Sequence, residues 1–166
     1  MSSSFVTAMQ TQMLVSVVDS NRKAVEADPN NAVALSELAK SLFELSMLQM
    51  RNDSRATLKE GLDVCQKSIA INPSESAVTW VRGVLRQAYS MVVQDASLAS
   101  GLAADAQADF GKVLNAEKDS KKRETLVKEK ELLNGIVALP PTTRACEITC
   151  LVVVLCCAAE VERISG

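Results

Sequence analysis

Prolines stand at only three places in this chain of 166 residues: Pro29, Pro73 and the pair Pro140-Pro141. Proline lacks a backbone donor and clashes with the turn before it, so it marks where helices stop. Between these stops, apolar residues recur at steps of three and four, the period of a helix face. The spacing predicts helices over 8–27, 32–50, 55–70, 77–94 and 99–117, with a sixth, highly charged, over 118–131. Arg51-Asn52-Asp53-Ser54 reads as a polar break between the second and third helices, and Ser76 as the cap of the fourth.

Composition agrees with helix packing. One Trp, one Tyr and three Phe leave the core to Leu, Val, Ile, Ala and Met, a mix that suits helices better than a sandwich of strands. A net charge of −2 offers no basic stripe for nucleic acid. Eleven of the fifteen residues from Glu117 to Glu131 are ionic, but the signs are mixed. That pattern describes a solvated helix held by pairs such as Glu124–Lys128. The chain has no histidine, which removes imidazole acid–base chemistry, Ser–His and Cys–His nucleophiles and most catalytic zinc sites. No converging pair of carboxylates or lysines replaces it, so the expectation is a binding protein without catalytic residues, metal or cofactor. The five cysteines, Cys65, Cys146, Cys150, Cys156 and Cys157, are odd in number and crowd one end. They do not form a disulfide framework. No basic residue precedes Arg22, so the first helix reads as part of the mature fold rather than a leader.

Aligned on its prolines, the chain repeats. Leu35, Leu38, Ala39 and Leu42 follow Pro29 at offsets of six, nine, ten and thirteen, and Gly61, Cys65 and Ser68 precede Pro73 by twelve, eight and five. Gly83 stands ten after Pro73, followed by Ala106, Phe110 and Val113, with Lys118 where a further proline would fall. Small residues at these offsets let two antiparallel helices approach, and large ones fill the space between pairs. This is the tetratricopeptide pattern. The fold class expected is therefore all-α: two tetratricopeptide-like helix pairs over residues 1–139, then a Pro-started, Cys-rich hydrophobic tail over 140–166. Pro29 and Pro73 lie 44 residues apart, about ten more than the standard unit, which enlarges the connection within the first repeat.

Asp28-Pro29, Leu42-Phe43-Glu44-Leu45-Ser46, the spacing from there to Ile71-Asn72-Pro73, and Trp80 with Gly83 carry a more specific likeness. In these residues the chain resembles the plant-type, roughly twenty-kilodalton import receptor of the mitochondrial outer-membrane translocase. The resemblance implies two tetratricopeptide units, the first enlarged. It also implies an outer-membrane protein facing the cytosol that binds amphipathic presequences beside other translocase subunits. The alternative is a structural helical-repeat subunit of another organellar or membrane complex, or a cytosolic protein.

In helix-pair repeats the first helix of each pair lines the concave side. That side should display Val33, Ser36, Lys40 and Phe43 from the first unit, and Ala77, Trp80, Val84 and Gln87 from the second. Phe43, Trp80 and Val84 would floor a groove for an amphipathic helix, and Glu44 would meet its basic residues. Lys40 stands nearly alone as a cation on this face, which argues against a clamp for acidic chaperone tails. Family members are anchored by a C-terminal span. Here Ile148–Ala159 is twelve uncharged residues bounded by Glu147 and Glu160. As a helix it would reach about 18 Å, against a hydrocarbon core of roughly 30 Å. Membrane contact through this tail would need help, for which Cys156 and Cys157 are the candidate S-acylation sites.

Overall fold

The computed structural model describes residues 3–49 and 51–138. Among them are six helices and no strand: α1 (Ser3–Ala27), α2 (Ala32–Leu48), α3 (Arg51–Ile71), α4 (Ser76–Val92), α5 (Ala96–Ala116) and α6 (Ser120–Ala138). The all-α expectation holds. The tail from Pro140, with Ile148–Ala159, Cys156 and Cys157, lies outside the described residues.

Asp28-Pro29-Asn30-Asn31 and Asn72-Pro73-Ser74-Glu75 form the turns, as the prolines predict. Asn31 caps α2, its side chain accepting from Ala34 N at 3.1 Å. At α4 the expectation is corrected: Glu75 is the N-cap and Ser76 the first helical residue. Glu75 makes no side-chain cap bond. The polar break is also corrected. Arg51–Ser54 is the first turn of α3 rather than a loop. Polar residue types are at home in a first turn, because the first amides of a helix lack intrahelical partners. The residues that lengthen the first repeat therefore sit in α2 and α3, of 17 and 21 residues. Thr57 Oγ1 donates to Gln49 Oε1 at 2.7 Å, fastening the short link between these helices.

The chain divides into two compact units, Met1–Ala116 and Glu117–Gly166. In the first, each helix packs on the next, most extensively α2 on α3 and α4 on α5, and α2 also touches α4. Leu35, Leu38, Ala39, Leu42, Leu58, Cys65, Val78 and Leu85 form the centre of its core. At Gly61 three helices come close together: a Cβ there would lie 3.1 Å from Leu85 Cδ2 and 3.6 Å from Leu42 Cβ. The Ser68 hydroxyl donates to the Ala32 carbonyl at 3.1 Å, closing the other end of the first pair. Burial pushes the Cys65 thiol up to about 12, so it is a packing residue and not a reactive one. In the second unit, Asp119 caps α6 by accepting from the Lys121 and Lys122 amides. Glu124 and Lys128 pair at 2.7 Å, as their spacing predicts.

Candidate functional site

The direct contact of α2 with α4 brings the two expected residue sets onto neighbouring helices. Their exposures differ. Val33 is open to solvent at 67%. Phe43 is half-buried against the core, and Glu44 and Trp80 are half-buried too. Val84 and Gln87 are buried, at 6% and 2% exposure. Of the expected residues, Val33, Phe43, Glu44 and Trp80 thus keep solvent contact, and Val84 and Gln87 do not.

Trp80 leans on Phe110 of α5, ring centroids 4.7 Å apart and planes at 53°. Phe110 is fully buried, and Gly83 makes room for it: a Cβ at Gly83 would fall 2.7 Å from Phe110 Cε1. One side of the indole is therefore fixed by packing while the residue keeps part of its surface in solvent. Glu44 makes no hydrogen bond or ion pair among the described residues. Burial raises its carboxyl above the usual range, repulsion from Glu37 adds to this, and Lys40 opposes it. Lys40 is already engaged, 2.7 Å from Glu37. A half-buried carboxylate of this kind gains from a cation brought by a ligand. Gln87 Oε1 is buried without a partner.

Between α4 and α5 lies a cluster that the spacing alone did not single out. Arg82 forms two bonds with Asp109, Nε to Oδ2 at 2.9 Å and Nη2 to Oδ1 at 2.6 Å. Arg86 Nη1 reaches the same Oδ2 at 2.6 Å, and Asp105 lies 3.5 Å from Arg86. Asp109 is nearly fully buried. Its hydrogen bond raises the Arg82 guanidinium above its ordinary value, against the opposing effect of burial. The signal was present as two i,i+4 pairs of opposite charge, Arg82/Arg86 and Asp105/Asp109, on helices that pair in the repeat. Asp109 and Phe110 thus serve charge pairing and packing between α4 and α5. Among the described residues no His, Cys, Asp or Glu cluster could hold a metal ion. A shallow hollow of about 390 Å³ lies in the second unit, lined by Glu117, Lys118, Ser120, Arg123, Glu124 and Val127. Its mixed charges define neither an anion nor a cation site.

Paired helices and proline-registered turns agree with a direct comparison. The family model described as plant specific mitochondrial import receptor subunit TOM20 matches residues 12–132. The chain belongs to that family. Membership makes it a mitochondrial outer-membrane import receptor, engaged in protein transport with preproteins and the translocase complex. This is a receptor family, not an enzyme family. A comparison with curated proteins finds no match. The matched segment begins inside α1 and ends inside α6, so it spans both helix pairs. No described helix of the receptor is long and apolar enough to cross a membrane.

Proposed function

We propose that this receptor recognises amphipathic helical targeting sequences on its α2–α4 face, and that this face is turned to the cytosol. The observation that carries the reading is the company Glu44 keeps. A half-buried carboxylate without a hydrogen-bond partner lies one residue from half-buried Phe43. The helix that bears both touches the helix that bears half-buried Trp80. Apolar surface beside an uncompensated acid complements a helix that is apolar on one side and basic on the other. Phe43 and Trp80 take the apolar side, Val33 extends it, and Glu44 takes a Lys or Arg. Val84 and Gln87 support this surface from beneath. The contact is small and partly polar, which favours weak, reversible capture, as a receptor that must hand on its cargo requires.

Trp80 is the only tryptophan, so it reports on its own site. Titration with a basic amphipathic presequence peptide is expected to change its emission and to saturate below about 1 mM. Glu44→Gln should weaken binding of the basic peptide several-fold and leave an analogue without Lys or Arg unaffected. Emission that stays flat to that concentration defeats the reading.

A further inference from the structure

Val33, Glu37, Lys40 and Glu44 follow one another along α2 at steps of four, three and four. On a helix these positions fall within about 60° of one another, so they form one stripe. The core residues Leu35, Leu38, Leu42 and Leu45 occupy the rest of α2, and none of the four stripe residues is buried. The stripe thus carries two acids with one cation between them. Lys40 Nζ bonds Glu37 Oε1 at 2.7 Å, one turn back. Helical side chains lean toward the N-terminus, and an acid placed before its lysine pairs better than one placed after it. Both rules give Lys40 to Glu37 and leave Glu44, one turn ahead, without a cation. After burial, the influences on the Glu44 carboxyl are Glu37, which raises it, and Lys40, which opposes.

We propose, on the reading that this face binds targeting helices, that Lys40 holds to one the number of ligand cations the face accepts. Glu37 and Glu44 stand seven residues apart, about 10.5 Å along the helix. Two acids at that separation match a ligand helix with Lys or Arg at i and i+7, which also lie on one side. Lys40 removes the match. It occupies Glu37, and a second ligand cation arriving there meets an ammonium standing between the two acids. Like charges so placed repel, and repulsion built against one partner is a means of choosing another. Lys40 is therefore a specificity-determining residue that acts by charge: it leaves the apolar contact to Phe43 and Trp80 and the single cation to Glu44.

Two amphipathic peptides test this, one with a single Lys and one with a second Lys seven residues from the first. Each is titrated into the full chain while Trp80 emission is followed. The wild-type chain is expected to bind the two within about twofold of one another. Lys40→Gln should bind the two-Lys peptide about two- to fivefold more tightly than the one-Lys peptide, and about 1 M salt should remove that preference. Lys40→Arg should behave as the wild type. Glu37→Gln added to Lys40→Gln should cancel the preference, because the second acid is then gone. A wild-type chain that already prefers the two-Lys peptide as strongly as Lys40→Gln does overturns the proposal, as does a preference that survives Glu37→Gln. Emission that responds to both peptides alike, in the wild type and in Lys40→Gln, defeats the role of Lys40 and leaves the binding face standing. Emission flat with both peptides in every variant defeats the binding face and this role together.

Discussion

Gly83 and Phe110 decide how closely α4 and α5 can approach. Replacing a helical glycine by alanine ordinarily stabilises by about 0.5–1 kcal/mol. At Gly83 the new methyl would meet a fully buried ring at 2.7 and 2.9 Å, and overpacking of that kind costs about 1–3 kcal/mol. The steric cost exceeds the helical gain, so Gly83→Ala should lower the urea midpoint. Gly101 lies inside α5 with nothing within 4 Å of its would-be Cβ. Gly101→Ala should raise the midpoint by the ordinary helical gain. Glu44 makes a prediction with a sign in pH. Its folded carboxyl titrates above the ordinary 4.5, so the folded state holds its proton more tightly than the unfolded chain does. The strain of ionising it is absent below the ordinary value. It grows through the window between that value and the raised one, and is fully present above both. Glu44→Gln is therefore expected to raise stability at pH 7 and to give no gain near pH 3.5. Urea curves at the two values separate the outcomes, and a gain of equal size at both would contradict the account.

At the scale of the element, the turns were more legible than the helix starts. The periodic apolar faces and the prolines locate α2 through α5 within a few residues. Two readings failed for one reason, the ambiguity of polar residues at helix beginnings. Ser, Asn and Asp serve equally in a cap, a first turn or a loop, so Arg51–Ser54 reads as a break and is the start of α3. Which role they take is set by whether the following turn can pack. Here it does: Arg55 Nη2 reaches the Val92 carbonyl at 2.9 Å, satisfying a C-terminal carbonyl of α4. The two caps of the equivalent helices give a paired test. Asn31→Ala removes a cap bond and should cost about 1 kcal/mol. Glu75→Ala removes none at the corresponding place in α4 and should change the urea midpoint much less.

For the whole molecule, the core cluster and both helix pairs fall within Met1–Ala116. A fragment of residues 1–116 should therefore unfold in one cooperative transition, with circular dichroism and Trp80 emission tracing the same curve. A gradual, non-coincident loss of the two signals would show that the pairs need more of the chain. Nearest-neighbour packing of this kind lets such a fragment stand, since each helix depends mainly on those beside it.

The order of the helices, their turns and the small residues at Gly61 and Gly83 follow from local physics that is written in residue order. Proline stops a helix, periodicity sets its inward face, and an absent side chain permits close approach. The family likeness in Asp28-Pro29, Leu42–Ser46 and Trp80–Gly83 is written the same way. What only the tertiary structure decided concerns depth and partners. Val84, Gln87 and Trp80 share one stripe of α4, yet two are buried and one keeps solvent contact, because α2, α3 and α5 cover that helix unequally. Asp109 is nearly fully buried, where Arg82 and Arg86 of α4 pair with it. Each depends on residues far apart in the chain, and periodicity within one helix carries no information about which neighbour covers each side.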